Sequence, residues 1–427
     1  MQDIFIKLQK YNLWDKQCPV IQTGFDRNFY LQRIEQYLGN KLIKVFIGQR
    51  RVGKSFLLKQ TMSLLLKSGV SGKNIFYLNK EIVDFDDIRT YLDLKKVIDI
   101  YKREIQPQGK IYFFFDEIQE IEGWQKIVNS LAQDPIDDNE IFISGSNSKL
   151  LSGELATYLT GRYIDFEIFP FSYGEYLEFF EAENTKKQFL KYLKTGGLPE
   201  LFSLETEESK RYYLQSLKDS IILKDIVGRH NVQEEAFLGR ILDYIADNIG
   251  NIFSVSSLVK FFKSKNYKIS FETISNYLKF LQETFLIHEV SRFDIKGKKI
   301  LESGKKYYMN DLSFRNFVFS TFDTGIGGHL ENIVFLELKR RGYKVYIGKI
   351  KNLEIDFIVE KGKEKKYFQI AYSVAEKKVA KREFGNLQKI GDNFEKVVLT
   401  LDDVVDQEYE GIKHQEIWKF LVTTPNA

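Results

Sequence analysis

The residues with the most specific chemistry lie between positions 48 and 55, where glycine, lysine and serine recur at a fixed spacing. This run reads G-Q-R-R-V-G-K-S and matches the pattern G-x-x-x-x-G-K-[ST]. Glycines let successive backbone N–H groups converge on phosphate oxygens, and a helix that begins there directs its positive end at the same anion. The run therefore predicts a nucleoside triphosphate site lined by Gly48, Gln49, Arg50, Arg51, Val52, Gly53, Lys54 and Ser55.

Two residues of this loop have roles that their chemistry suggests. We expect Lys54 to reach the β- and γ-phosphates and Ser55 to bind Mg²⁺. The flanks support the motif, because the apolar run at 42–47 is typical of a strand and the pattern at 55–66 is typical of a helix.

A candidate metal ligand and a candidate base follow the run I-Y-F-F-F at 111–115. A strand that is apolar at every position is typical of one covered on both faces. Asp116 then supplies a carboxylate for Mg²⁺, and Glu117 is placed to act as the general base for an attacking water. The pair favours hydrolysis over nucleotide storage. The alternative for Asp116 is that it caps the next helix.

Polar residues also follow the strand-like run at 141–143. Ser146 and Asn147 are candidates for contact with the γ-phosphate or the attacking water, and Asn147 is the preferred one. The alternative is an ordinary cap for a helix at about 150–155.

Strand-like runs alternate with helical patterns through the first part of the chain. The runs lie at 42–47, 75–78, 111–115 and 140–143, and helical stretches separate them. Such alternation predicts a parallel sheet with helices on both faces, which is the α/β class.

Four motifs in this order resemble those of bacterial and archaeal AAA-type ATPases that carry a C-terminal restriction-endonuclease-like domain. They are G-x-R-R-V-G-K-S at the loop, F-D-E-I-Q around Asp116, S-G-S-N-S-K-L-L at 144–151 and L-T-G-R ending at Arg162. The resemblance covers nearly the whole chain. It implies a P-loop AAA-type core, ATP and Mg²⁺ as cofactors, and a homo-oligomer.

The resemblance also implies a role for three arginines. Arg162 corresponds to an arginine finger, which completes a neighbouring subunit's site and stabilises transition-state charge. The alternative is that Arg162 forms a structural ion pair. Arg50 and Arg51 fit the family's loop, and their alternative is that they are solvated charges beside the phosphate.

The middle of the chain concentrates positive charge. Residues 256–306 hold eleven basic and five acidic side chains, a balance of +6 in a chain whose net charge is +4. Helical patterns followed by strand-like runs at 286–290 and 306–309 give the order of a winged helix, with a recognition-type helix at 273–285. Such a surface suits DNA phosphates. The alternatives are a protein-binding winged helix and a merely solvated lysine face.

The last part of the chain resembles a nuclease whose active site is incomplete. Glu331 in a helix, Asp356 in a strand and Gln369 in the next strand follow the PD-(D/E)XK order, in which carboxylates bind Mg²⁺ and a lysine assists the attacking water. Here Gln369 stands in place of the second acid and Ala371 in place of the lysine. We therefore expect the fold with a degenerate site and lost cleavage, unless a lysine such as Lys378 substitutes.

Composition limits the remaining classes. The one cysteine, Cys18, excludes an internal disulfide, no Cys/His spacing fits zinc, and no run is apolar enough for a membrane span. The N-terminus lacks signal-peptide features, so we expect a cytoplasmic protein. A length of 427 residues suggests about three domains: a leader at 1–24, the AAA-type core at 25–200, a helical and winged-helix domain at 201–325, and an endonuclease-like α/β domain at 326–427.

These observations favour an oligomeric, Mg²⁺-dependent AAA-type ATPase that acts on DNA through the basic winged-helix region. Two alternatives stay open. One is a nucleotide-switched signalling or interaction ATPase without a DNA substrate. The other is a nuclease that is coupled to the ATPase.

Overall fold

The computed structural model describes residues 2–14, 21–151, 161–230, 232, 234–319, 325–403 and 408–423. Cys18, most of the helix expected at 150–155 and the Leu159–Thr160 part of the fourth motif lie outside these residues. The chain divides into two compact units, residues 1–168 (the N-terminal unit) and residues 169–427 (the C-terminal unit). The domain boundaries expected at 24/25, 200/201 and 325/326 stay predictions.

Helices and strands alternate along the described part of the N-terminal unit. The four predicted strands are confirmed, each within two residues at either end. The helices are α1 (Gln2–Gln9), α2 (Asn28–Glu35), α3 (Lys54–Lys67), α4 (Tyr91–Ile105) and α5 (Trp124–Ala132), and the strands are β1 (Ile43–Ile47), β2 (Ile75–Asn79), β3 (Ile111–Asp116), β4 (Asn139–Gly145) and β5 (Tyr163–Glu167).

These strands form one parallel sheet in the order β2-β3-β4-β1-β5. Every residue of β1 and β4 is buried, and so is every residue of β3 except Tyr112. A parallel strand is buried in this way when both faces of its sheet are covered. The predicted α/β class is therefore confirmed for this unit.

The segment after α1 covers the edge of the sheet at β2. The Asn12 side chain donates to the Tyr77 carbonyl oxygen at 3.0 Å and accepts from the Tyr77 backbone N–H at 2.7 Å. The Trp14 indole N–H donates to the Ile75 carbonyl oxygen at 2.7 Å. Side chains thus satisfy backbone groups that an edge strand otherwise leaves unpaired.

A buried ion pair joins β1 to β4 in the interior of the sheet. Lys44 Nζ lies 2.6 Å from Glu140 Oε1, and both side chains are fully buried. Glu140 also accepts hydrogen bonds from the Gly39 backbone N–H. Burial lowers the pKa of Lys44 from its ordinary value, while the Glu140 carboxylate acts in the opposite direction.

The C-terminal unit begins with helices and ends with a larger sheet. Its described helices are α6 (Tyr173–Phe179), α7 (Lys186–Thr195), α8 (Glu207–Ser220), α9 (Glu235–Asp247), α10 (Val255–Ser264), α11 (Phe271–Glu283), α12 (Ile326–Arg340), α13 (Lys377–Gln388) and α14 (Ile417–Phe420), with π-helical segments at Ile221–Val227 and Phe314–Phe319. Its described strands are β6 (Ile287–Asp294), β7 (Lys299–Met309), β8 (Lys344–Ile350), β9 (Leu353–Lys361), β10 (Glu364–Ile370), β11 (Glu395–Thr400), β12 (Glu408–Tyr409) and β13 (Ile412–Glu416).

The strands β6 and β7 form an antiparallel hairpin at one edge of a mixed sheet with the order β12-β13-β11-β10-β9-β8-β6-β7. Three helices, α9, α10 and α11, precede the hairpin. Serine side chains fix where two of them begin, because Ser254 accepts from the Ser257 N–H and Ser270 accepts from the Thr273 N–H.

Replacing Lys44 tests how much the buried pair contributes to the N-terminal unit. We expect Lys44→Ala to lower the free energy of unfolding by about 3 kcal/mol, because the buried Glu140 carboxylate loses its closest ammonium partner and keeps only Lys110, 3.5 Å away. Urea denaturation followed by circular dichroism measures the loss. Lys95→Ala is the control, since it breaks an exposed pair with Asp99 and should cost about 1 kcal/mol or less. Equal losses in the two variants would contradict the expectation.

Candidate nucleotide-binding site

The sheet order brings the predicted residues of the N-terminal unit to one edge. Because the strands are parallel, their carboxyl ends meet at the same edge, and β4 lies between β1 and β3. Ile47 at the end of β1 is in register with Gly145, and Phe115 near the end of β3 is in register with Ile143. The loop at 48–55 therefore lies beside the polar ends of β3 and β4.

The phosphate loop requires glycine at its first position. A Cβ atom on Gly48 would lie 2.3 Å from the Ile168 carbonyl oxygen, which is too close for any side chain. Gly53, just before α3, has a φ of 97°, a conformation that glycine adopts without strain. The loop thus passes close to the chain after β5 and turns directly into the helix.

Lys54 is buried and points back across the loop. Its Nζ donates to the carbonyl oxygens of Gly48 and Gln49 at 3.0 and 3.1 Å, and it lies 3.6 Å from Glu117 Oε1. The ammonium is therefore held between the loop and the candidate base. A phosphate group that entered the loop would compete with these oxygens for the same donor.

Asp116 is fully buried at the end of β3 and is hydrogen-bonded on both oxygens. Ser144 donates to Oδ1, and the Tyr77 hydroxyl donates to Oδ2 at 3.1 Å. The Ser55 hydroxyl also hydrogen-bonds to this carboxylate, so the two predicted Mg²⁺ ligands lie together. Burial raises the pKa of Asp116 above its ordinary value, and the hydrogen bond from Ser144 opposes the shift.

Glu117 is buried and lies in the left-handed region, with a φ of 52°. A residue other than glycine in this region costs on the order of 1 kcal/mol and is kept only where its surroundings hold it. Its side chain accepts a hydrogen bond from the Gln119 amide and interacts with the Ser146 hydroxyl. Burial raises the pKa of Glu117, but the Lys54 ammonium, these hydrogen bonds and the Arg50 guanidinium together outweigh burial, so the pKa falls below its ordinary value.

The other predicted loop and sensor residues lie around this centre. Asn147 is buried directly after β4, and its backbone carbonyl accepts from the Leu150 N–H at 3.2 Å. Arg50 pairs with Glu81 at 2.8 Å, whereas the Arg51 residue is exposed. The sensor role of Asn147 and phosphate contact by either arginine stay predictions.

Arg162 lies directly before β5, at the opposite, amino-terminal end of the strands of this sheet. Its carbonyl oxygen accepts from the Ile43 N–H at the beginning of β1, and the residue is exposed. One full strand, β1, therefore separates Arg162 from the loop that follows Ile47. Five residues of a strand span about 16 Å. Arg162 does not belong to the site built by its own loop.

Two residues that the sequence did not indicate stabilise the loop, Arg27 by direct contact and Gln60 through Arg27. Arg27 is almost fully buried and donates from Nη1 to the Val52 carbonyl oxygen at 3.1 Å. Gln60 on α3 accepts from the Arg27 backbone N–H and donates to the Thr23 and Phe25 carbonyl oxygens. No local pattern marks either residue, because their role depends on contact with a loop that lies elsewhere in the sequence.

The donor set fits a nucleoside triphosphate with Mg²⁺. Gly48 has no side chain that would collide with the Ile168 carbonyl oxygen. The Ser55 hydroxyl and the Asp116 carboxylate are hard oxygen ligands. Mg²⁺ usually takes one or two such protein ligands and completes its shell with water and substrate phosphates. No group of three or more His, Cys, Asp or Glu side chains that could hold a metal ion occurs among the described residues.

The predicted basic region of the C-terminal unit is exposed in part. Lys305 pairs with Glu289, and Lys306 is buried in contact with two carboxylates. Arg292 is partly buried. The remaining basic residues of this region are exposed: Lys260, Lys263, Lys265, Lys268, Lys279, Lys296, Lys298 and Lys299.

The three predicted nuclease-like residues lie close to one another, but a further lysine joins them. The Asp356 N–H donates to Gln369 Oε1 at 3.4 Å. Burial, and after it the Glu331 carboxylate, raises the pKa of Asp356 well above its ordinary value. The lysine near these groups is Lys306 from β7, whereas Lys378 is exposed.

Comparison with known proteins identifies the N-terminal part of the chain. Residues 40–177 match the family model described as an AAA domain. An uncharacterised protein of Haemophilus influenzae is 38% identical over 394 residues, which cover 91% of this chain and 96% of the relative. A second relative, from Methanocaldococcus jannaschii, is 32% identical over 408 residues and covers 89% of this chain and 88% of its own length. The chain belongs to this AAA-domain family.

The AAA-type core predicted from the motifs is thus confirmed, and the loop, Asp116 and Glu117 all lie within the AAA domain. Residues 186–325 match a model described only as a domain of unknown function (DUF8612). The endonuclease-like and winged-helix parts of the resemblance stay predictions. None of the helices in the described ranges is both long and apolar enough to cross a membrane.

Solved structures give only distant likenesses to this AAA-domain protein. Aeropyrum pernix ORC1 in complex with DNA has a TM-score of 0.30 and 10% identity over 67% of this chain and 91% of its own. AMPPCP-bound DnaA from Aquifex aeolicus has a TM-score of 0.31 and 18% identity over 55% of this chain and 74% of its own. At such TM-scores neither likeness bears on fold or function.

Two substitutions separate nucleotide binding from hydrolysis at the AAA site. We expect Glu117→Gln to keep ATP binding and to lower the rate of hydrolysis by on the order of 10²–10⁴-fold, because the amide cannot accept the proton. Lys54→Ala is expected to lose ATP binding itself, since it removes the ammonium that faces the phosphates. Binding of a fluorescent ATP analogue and phosphate release measure the two steps. A normal rate in Glu117→Gln would move the base to another residue.

Proposed function

We propose that this AAA-domain protein is a Mg²⁺-dependent ATPase that works as a homo-oligomer and acts on DNA. The observation that carries the proposal is the arrangement of Lys54, Asp116 and Glu117 at one edge of the parallel sheet. A phosphate-binding ammonium, a metal-side carboxylate and an ionised base are the groups that hydrolysis of a bound triphosphate requires.

Each side chain has a distinct task in this proposal. Lys54 turns from the loop carbonyls to the β- and γ-phosphates, and this movement frees Glu117 from the ammonium. Glu117 then orients the attacking water and accepts its proton. Ser55 and Asp116 hold Mg²⁺, which when bound neutralises charge on the phosphate oxygens.

The position of Arg162 supports assembly into an oligomer. The residue is exposed and lies a full strand away from its own loop. In this proposal Arg162 reaches the nucleotide of a neighbouring subunit, where it stabilises the charge that develops during phosphoryl transfer. Head-to-tail contact of this kind closes into a ring when the rotation between subunits allows it.

Mixing two inactive variants tests whether Arg162 acts on a neighbour. We expect Arg162→Ala to lower turnover by on the order of 10³-fold. Mixed with Glu117→Gln, it should regain activity, because some sites then combine an intact base with an intact arginine. Random assembly gives such a combination at about a quarter of the sites in an equal mixture. Phosphate release at several mixing ratios measures the recovery.

A mixture of Lys54→Ala with Glu117→Gln is the matched control for this experiment. Both of these substitutions damage the same subunit's site, so no combination of the two restores a complete site. Recovery of ATP hydrolysis in this control would show that mixing raises activity without completing any site between subunits. Absence of recovery in the Arg162→Ala mixture would contradict action between subunits.

The arrangement of the C-terminal unit supports contact with DNA. The helices α9, α10 and α11 are followed by the β6–β7 hairpin, and Phe253, between α9 and α10, forms an antiparallel bridge with Lys305 of β7. Three helices, a short strand and a two-stranded wing are the parts of a winged helix. Exposed lysines occur on α10, on α11 and at the turn of the hairpin. Such a surface binds phosphates.

Substituting two exposed lysines tests DNA binding. We expect Lys279→Ala combined with Lys298→Ala to weaken binding to a labelled duplex. The slope of log K against log salt should fall by about 2, because two phosphate contacts are lost. Fluorescence anisotropy at several salt concentrations measures the slope.

The control removes the same charge elsewhere. Lys95 and Lys96 are exposed on α4 of the N-terminal unit, and their double alanine variant should leave the slope unchanged. If duplex DNA neither binds at low salt nor changes ATP turnover, the DNA part of the proposal fails. The ATPase part of the proposal is unaffected by that result, and the protein would then be a nucleotide-switched interaction ATPase without a DNA substrate.

A further inference from the structure

A buried ammonium group lies inside the carboxylate cluster of the C-terminal unit. Lys306 Nζ is 2.8 Å from Glu331 Oε2 and 2.7 Å from Glu354 Oε1, and only 2% of the lysine side chain is exposed. A charge so buried is tolerated only when it is paired and hydrogen-bonded. The two glutamates supply that pairing from α12 and β9.

The strand β7 presents this lysine because side chains alternate along a strand. Lys305 pairs with Glu289, whereas Lys306 and Tyr308 share the other face and both contact Glu331. Next to them, Asn332 fixes α12 against β7 by accepting from the Met309 N–H and donating to the Met309 carbonyl oxygen, each at 2.8 Å. The ion pair is therefore built into the contact between helix and hairpin.

Hydrogen bonds from the protein itself also reach one oxygen of Glu331 and one of Asp356. Glu331 Oε2 accepts from the Tyr308 hydroxyl at 3.0 Å, and Asp356 Oδ2 accepts from the Ile370 N–H at 2.7 Å. Gln369 Oε1 accepts from the Asp356 N–H.

We propose that Lys306 is a built-in cation that takes the place of a divalent metal ion among Glu331, Glu354 and Asp356. Its positive charge neutralises the carboxylates and repels a second cation at contact distance. The cluster is thus a metal-free centre that joins the hairpin to α12 and β9, and the C-terminal unit does not cleave nucleic acid there. This inference is independent of the ATPase and of DNA binding.

Thermal melting of the full chain with and without MnCl₂, in buffer free of nucleotide, tests the proposal. We expect Lys306→Met to lower the melting temperature by about 6 °C or more, because the cluster loses its cation. Millimolar Mn²⁺ should restore part of the loss by occupying the vacated position. The wild type and the control Lys305→Met should show no Mn²⁺-dependent shift.

Two results of this melting experiment would overturn the proposal. One is a Mn²⁺-dependent rise in the wild type that Asp356→Asn abolishes, since the native cluster would then accept a metal ion. The other is the absence of any Mn²⁺ effect on Lys306→Met, since a metal would then be unable to replace the lysine.

The double variant Lys306→Met with Glu331→Gln covers the case in which Lys306→Met does not fold. Removing the carboxylate together with the ammonium leaves no unpaired buried charge between these two positions. We expect this variant to fold and to melt above Lys306→Met, without a response to Mn²⁺. If both variants fail equally, the packing of the lysine stem, and not its charge, is what the cluster needs, and the proposal falls.

Discussion

The order of the strands in the N-terminal sheet is the constraint on which the candidate site depends. Because β4 lies between β1 and β3 and all three run in parallel, the phosphate loop, Asp116 and Ser144 end at one edge. Because β5 runs parallel to β1, Arg162, which directly precedes β5, lies at the opposite, amino-terminal end of the strands. The parallel arrangement thus separates Lys54, Asp116 and Glu117 from Arg162 by the length of a strand.

Buried lysines paired with carboxylates recur in both units, and their surroundings distinguish their roles. Lys44 faces Glu140 inside the sheet, where both side chains are fully covered. Lys306 faces two glutamates and is equally covered. Lys54 differs, because its partners include two loop carbonyls at the open end of the sheet, which a phosphate can displace. An ammonium with exchangeable partners is suited to binding, whereas one with fixed partners is suited to stability.

The C-terminal unit combines features that the sequence suggested for separate domains. The β6–β7 hairpin follows three helices and also pairs with β8, so it belongs to the same sheet as the strands carrying Asp356 and Gln369. Of the basic residues in this region, Lys305 and Lys306 hold the hairpin by ion pairs. The exposed lysines lie on α10 and α11, between these two helices, and around the hairpin turn. Charge counting alone does not separate these two uses of lysine.

The sequence alone determined the strands β1 to β4, the helix after the phosphate loop, and the identity of Lys54, Ser55, Asp116 and Glu117 as candidate site residues. These are local properties, since periodicity and contiguous motifs fix them within a few residues. Only the tertiary structure decided that Arg27 supports the loop, that Gln119 and Lys54 hold Glu117, and that Lys306 neutralises Glu331 from 25 residues away. The physical reason is that a buried charge selects whichever opposite charge is near in space, and sequence spacing does not encode that distance.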